Sequence, residues 1–185
     1  MNPEESLDII TRMVSDTRRS ILQQSYVPFL TWGIVTIVVG MLVYFLVKST
    51  GDFRCYYCWF LLPMIGVPVT KKFQSSTSLP RTGITTSLKS IWAMLTVLLV
   101  TFSVASFFMS FNIMFFILLL LSIGSYVTGA IISYPFLKYS SIVGFVGSLI
   151  LMIFVWGVDQ LPIFSAAVSA MMIIPGIKMK RDLIN

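Results

Sequence analysis

Trp59-Phe60-Leu61-Leu62-Pro63-Met64-Ile65-Gly66-Val67-Pro68-Val69-Thr70-Lys71-Lys72 is an apolar run, interrupted by two prolines and a glycine and closed by two lysines. Its ending comes back along the chain. Pro68 is followed at the third position by Lys71, Pro135 by Lys138, and Pro175 by Lys178, each time at the end of an apolar run. Read as stop signals, these Pro-x-x-Lys endings, with Pro63 and Gly66 as helix breaks inside the first of them, mark every second crossing of a membrane. The expected fold is all-α: a polytopic bundle of six transmembrane helices arranged as three hairpins, preceded by an amphipathic cytoplasmic helix.

The composition identifies the medium. Of 185 residues, 57% are hydrophobic and 11% charged, against about 25% charged in water-soluble domains. Thirteen basic and seven acidic residues leave a net charge of +6. Most of that charge sits beside apolar runs, which fits a cytoplasmic membrane face and not a nucleic-acid surface. The first twenty or so residues are too charged for a cleavable signal, and no small-residue cleavage site follows the first apolar run, so that run is expected to stay as an anchor.

Residues 1–25 read as the leader helix. Asn2 suits its cap, Pro3 its first turn, and Glu5 completes a capping-box spacing. Leu7, Ile10, Val14 and Ile21 recur on one face, and Asp8 and Arg12 have i, i+4 spacing. Such a helix either lies on the membrane surface or docks on the protein's own cytoplasmic face. Residues 26–177 hold the spans, expected at 28–47, 56–70, 89–110, 113–133, 139–156 and 161–177, and residues 178–185 form a basic tail. The second span is short, about 22 Å of helix. Residues 73–88, rich in Ser and Thr with Pro80 and Gly83, read as a loop.

Placing the N-terminus inside puts Arg12, Arg18, Arg19, Lys71, Lys72, Arg81, Lys89, Lys138, Lys178, Lys180 and Arg181 on the cytoplasmic side and only Lys48 and Arg54 outside. The excess of inside charge predicts an even number of spans with both termini in the cytoplasm of an inner (plasma) membrane. An internal triplication of a helical hairpin and a common way of ending helices both account for the repeated motif.

The apolar runs contain no Asp, Glu, Lys, Arg or His. Proton-coupled transporters keep such groups at membrane depth, and intramembrane hydrolases need Ser with a base, paired Asp or a zinc motif. No catalytic residue, cofactor or metal site is therefore expected. Cys55-Tyr56-Tyr57-Cys58 is the exception, expected on the external side, where a disulfide is favoured. With Arg54 beside it, the pair resembles the thiol centre of membrane disulfide-generating oxidoreductases that pass electrons to a quinone. That resemblance implies Cys55 and Cys58 as redox residues, but such enzymes carry a second cysteine pair and this chain has none. A structural pair is the plainer reading, and two thiols without histidine are too few for zinc.

Ser106/Ser110, Ser125/Gly129, Gly144/Ser148 and Ala166/Ala170 are small residues at i, i+4, suited to close helix packing. Ser103, Asn112, Ser122, Ser125, Thr128 and Ser133 are candidates for a polar path. In length, six-span layout and leader, and in Trp59, Pro63, Gly66 and Pro68, the chain resembles small uncharacterised bacterial inner-membrane proteins, which implies location and no activity. The expected function is a non-enzymatic accessory, stress-response or sensory membrane protein acting through its cytoplasmic face. A facilitator for a small neutral solute and a CxxC thiol oxidoreductase are the alternatives. The expected partners are the lipid bilayer and either a second copy or a cytoplasmic protein, with no nucleic acid.

Overall fold

The computed structural model describes residues 3–73, 83–109 and 111–184, and the side chains of all of these except 3–6, 8, 10 and 18. Asn2, Ser110 and the 74–82 part of the polar connection, with Pro80 and Arg81, lie outside the described residues, as do the side chains of Glu5, Asp8, Ile10 and Arg18. The described chain is an all-α bundle without strands. Helix α1 spans Pro3–Thr50, and a 3-10 segment over Phe53–Phe60 leads into α2, Leu61–Phe73. Helices α3 (Gly83–Ala105), α4 (Ile113–Ile131) and α5 (Pro135–Ile153) follow. The last rod is α6 (Gln160–Val168), a π-helical turn (Ser169–Ile173) and α7 (Ile174–Ile184).

Among the described residues, five helical stretches are long and apolar enough to cross a membrane: 11–50, 83–105, 113–131, 135–153 and 157–184. The protein is therefore a helical membrane protein. The 13-residue α2 is not among the five.

The leader and first span are one helix of 48 residues with Pro28 inside it, about 72 Å long. The sequence reading separates them near residue 25. In a membrane helix the carbonyl that a proline leaves unpaired is satisfied by its surroundings, so the rod continues. The leader does not fold back on the bundle: Leu7, Ile9 and residues 11–16 are exposed, and burial begins at Thr17, Ile21 and Leu22.

Register contacts give the directions. Along α1, Leu30 faces Gly176, Gly33 faces Met172 and Ile173, and Gly40 faces Ser165. Helix α1 thus runs antiparallel to the whole last rod. A Cβ on Gly33 would lie 2.8 Å from Ile173 and one on Gly176 2.9 Å from Leu30, so only glycine permits this approach. Trp32 covers Gly66 of α2. Helix α3 packs mainly on α4, and α4 and α5 form the most extensive pair. The tightest hairpin is therefore α4–α5, which straddles two of the three expected hairpins, so the packing does not follow a triplicated unit.

The Pro-x-x-Lys motif is corrected as a stop signal. Pro63 lies in the first turn of α2, Pro68 inside it beside buried Gly66, and Lys71 in its last turn. Pro135 opens α5, where a missing N–H costs nothing, and Lys138 follows in the first turn. Pro175 and Lys178 lie within α7. The π turn just before Pro175, in which the Ile174 N–H reaches Ser169 O, relieves the clash a proline makes with the preceding turn. Helix α3 also starts at Gly83 and not near Lys89, because Thr85 and Leu88 are buried and packing overrides the loop-like composition.

Small polar residues share the buried core with Leu118, Leu137, Leu151, Leu161 and Phe164, while large apolar ones also lie outside. Ser122, Ser125, Thr128, Ser141, Ser148 and Ser165 are buried, while Met94, Val97, Val100 and Val104 of α3 and Ile142, Val143, Val146 and Ile150 of α5 are exposed. Lipid solvates large apolar side chains, and small ones let backbones meet. At the α4–α5 crossing a Cβ on Gly129 would lie 2.9 Å from the backbone nitrogen of Lys138. Gly129→Ala is expected to destabilise the detergent-solubilised protein by about 1–3 kcal/mol. Gly83→Ala, which meets no atom within 4 Å, serves as the control, and thermal melting of the two variants checks the difference.

Candidate functional site

The two ends of the bundle carry its polar chemistry. At the cysteine-bearing end, α1 gives way to the 3-10 segment through a small network. Thr50 Oγ1 accepts from the Asp52 N–H at 3.2 Å, and Asp52 Oδ1 accepts from the Arg54 N–H at 2.8 Å. Thr50 Oγ1 also lies 3.6 Å from Cys55 Sγ. Cys55 and Cys58 are both unbonded and half-buried. Residues three apart in a 3-10 helix stack over one another, so the two thiols share a side of the segment.

Around this network stands an aromatic rim. Phe107 stacks on Tyr57 and Phe60, with centroids 6.4 and 6.5 Å apart, and Phe53, Phe108, Phe154 and Trp156 are exposed. Aromatic residues gather at membrane–water boundaries. Phe53, Arg54, Tyr56, Tyr57 and Phe107 line an open depression of about 280 Å³, and neither cysteine lines it. Lys48 Nζ meets Asp159 Oδ1 at 3.0 Å across the gap between α1 and the last rod. Both side chains are more than half exposed, so the pair fixes geometry more than it adds stability.

The interior does not gather the expected polar set around a common cavity. Ser122 donates to Leu118 O at 2.7 Å and also lies 3.2 Å from Met171 Sδ in the π turn. Thr128 donates to Gly124 O at 2.7 Å and receives the Trp92 indole N–H at 3.0 Å, tying α3 to α4. Asn112 caps α4 through the Phe115 N–H and donates to Leu151 O at 2.8 Å. Ser103 is exposed on α3 and donates to Leu99 O at 2.7 Å. Ser133 is exposed in the α4–α5 turn with φ of 50°. Among the small pairs, Ser125/Gly129 and Gly144/Ser148 are buried, whereas Ala166 and Ala170 line an open apolar groove with Gly147 and Ala167.

At the opposite end the basic residues converge. The antiparallel register puts Lys71 and Lys72 at the end of α2, Lys138 in the first turn of α5 and Lys178, Lys180 and Arg181 on α7, all on the side from which α1 emerges. Tyr134 OH donates to Asp182 Oδ2 at 2.6 Å, and Lys178 Nζ lies 4.0 Å from the Phe136 ring centroid. These two contacts dock the end of α7 on the α4–α5 turn. From this platform the leader projects by roughly 20 Å, taking residues 3–16 at helical rise.

Comparisons of the chain with protein families, curated proteins and solved structures returned no match. The sequence reading missed Gly33, Gly40 and Gly176, which set the central helix pairing, and the π turn with Met171. The seven-residue interval between Gly33 and Gly40 was a usable signal for the first. The clash of Pro175 with a regular preceding turn was one for the second.

Tyr134→Phe removes a hydrogen bond to a carboxylate, of the kind worth about 1.5–3 kcal/mol. The expected result is faster amide exchange over residues 178–184 with unchanged exchange in α4, measured by hydrogen–deuterium exchange in detergent. Equal protection of the tail in both forms would remove this docking role.

Proposed function

We propose that the protein is a non-enzymatic inner-membrane component that presents a rigid helical docking rod, the leader part of α1, to a protein partner in the cytoplasm. The observation that carries this reading is the exposure of Leu7, Ile9, Met13 and Val14, between 49% and 66%, on a helix continuous with a span. Free apolar side chains on a water-exposed rod need a cover, and a rod already ordered by the bundle meets a partner without a folding cost.

The reading includes six crossings with both termini inside. The positive charges favour that orientation. The chain between Thr50 and Gly83 must travel the height of the bundle, because α3 runs parallel to α1: Phe29 meets Trp92 near one end, and Tyr57 meets Phe107 at the other. The 3-10 segment and α2 together measure about 35 Å at their respective rises, enough for a hydrocarbon core of about 30 Å. The non-enzymatic part rests on apolar runs that carry no Asp, Glu, Lys, Arg or His.

Two outcomes are expected. Cysteine labelling of intact cells should leave Lys180→Cys unmodified by an impermeant reagent until the membrane is opened, in a background lacking Cys55 and Cys58. A photo-crosslinking amino acid at Val14 should form adducts with protein in native membranes, and one at Arg12 should form far fewer. Labelling of Lys180→Cys from outside would overturn the orientation. A lack of any protein adduct at Val14 would overturn the docking role.

A further inference from the structure

The 3-10 segment between α1 and α2 is a three-sided rod. A 3-10 helix completes a turn every three residues, and burial over Phe53–Phe60 keeps that period. Arg54, Tyr57 and Phe60 are exposed, whereas Cys55 and Cys58, and likewise Tyr56 and Trp59, are half-buried. Trp59 turns inward, its ring 5.9 Å from that of Phe164, and Tyr57 and Phe60 meet Phe107 on the outward side. The thiols occupy the remaining side, one above the other, between the core and the surroundings. The segment is also unusually long. Runs of 3-10 helix beyond three or four residues are uncommon, because their hydrogen bonds are poorer, and this one has eight residues.

We infer that Cys55 and Cys58 are a reversible thiol–disulfide pair whose oxidation staples this turn. A rise of about 2 Å per residue sets their Cα atoms about 6 Å apart and in line, within the span of about 4.4–6.8 Å that disulfides bridge. In an α-helix the second thiol would stand about 60° off that line. Cys55 Sγ lies 3.6 Å from Thr50 Oγ1, and the Thr50 hydroxyl donates its own proton to Leu46 O at 2.7 Å. The sulfur contact is thus a weak S–H donation, which a disulfide replaces at little cost. Asp52 and Arg54 just before the pair are exposed, and the exposed Lys48–Asp159 bridge stands at the same end. Water therefore reaches this end of the bundle, where a thiolate can form.

The step is thiol–disulfide exchange with a disulfide outside the membrane, so it rests on the orientation proposed above. One thiol loses its proton and attacks a sulfur of the donor, forming a mixed disulfide and releasing the first donor thiol. The second thiol, likewise deprotonated, attacks the sulfur of the first and releases the other donor thiol. Two thiols of this chain become one disulfide, and the donor carries off both electrons and both protons as two thiols. The bond holds one turn in its 3-10 winding, and reduction frees that turn to relax. Cys58 O accepts the N–H of Leu61, the first residue of α2, so the staple sits on the joint through which α1 leads into α2.

The test uses the full-length chain. In detergent with glutathione disulfide, Cys55→Ser and Cys58→Ser are each expected to hold one glutathione by intact mass. The unaltered chain is expected to hold at least tenfold less, because its second thiol displaces the adduct. Equal adduct on all three would overturn the pairing. Oxidation is expected to slow amide exchange over residues 55–61 at least threefold in the unaltered chain and to leave Cys55→Ser unchanged. Equal exchange in the oxidised and reduced chains would overturn the staple. In acid-quenched cells, maleimide is expected to add twice only after reduction. Free thiols there would overturn the native disulfide, and the Lys180→Cys labelling then locates the fault: reagent reaching Lys180→Cys from outside condemns the orientation, and a sealed Lys180→Cys condemns the pair itself.

Discussion

The close antiparallel pairing of α1 with the last rod is the contact on which the rest of the bundle depends. In lipid, apolar surface gains nothing by leaving its solvent, because the solvent is equally apolar. Association has to come from packing distance and from polar groups that find each other. Gly33, Gly40 and Gly176 supply the distance, since a methyl group at any of them would press on Ile173, Ser165 or Leu30. The other elements are held by their grip on this pair. Trp32 of α1 holds α2 at Gly66, α5 packs on the rod, and α4 is locked to α5 at Gly129. Helix α3, clasped mainly by α4 and by the Trp92–Thr128 bond, is the least embedded.

The same solvent explains where the polar side chains are. Ser122, Thr128, Ser141 and Ser148 are inside because they are small, and each returns its hydroxyl to a carbonyl of its own preceding turn. A hydroxyl so engaged fills space without offering a site. Ser125 and Ser165 are buried with hydroxyls that have no hydrogen-bond partner among the described residues, and the exposed polar groups gather at the two ends, one an aromatic rim with a thiol pair and the other a basic platform with a projecting rod. At the rim, the Thr50 and Asp52 side chains are occupied by backbone N–H groups of the turn they shape. The exposed apolar residues of the rod have no such internal occupation.

What could be read from the sequence was what is encoded locally. Apolar length and the absence of charge give away the membrane helices, and the small pairs Ser125/Gly129 and Gly144/Ser148 are buried interfaces as their spacing implies. The misreadings share a cause: each treated a residue type as punctuation when packing decides. Pro28 does not end the leader, Pro135 begins a helix where an ending was expected, and Thr85 and Leu88 pull an apparent loop into α3. A short Pro-x-x-Lys motif had no means of distinguishing these settings. The apolar face of residues 7–21 was legible as a period. Its lack of a cover was not, since exposure depends on how the helices pack together and not on the local period.

The continuity of α1 gives the leader a mechanical meaning that a hinged helix would lack. Had the chain broken near residue 25, a partner on the leader would be tethered to the bundle by a loop and would tell it nothing. As built, the helix that leaves Leu7 and Val14 exposed beyond the bundle is the one whose glycines are in contact with Ile173 and Ser165 within it. Tilting or rotating the rod displaces those glycines against side chains that already sit at contact distance. The α1–last rod seam contains Pro28, which has no N–H for the helix ladder, and the π turn. Irregular turns are where helices bend, so a load applied at the leader meets its softest points beside the contact that holds the fold together.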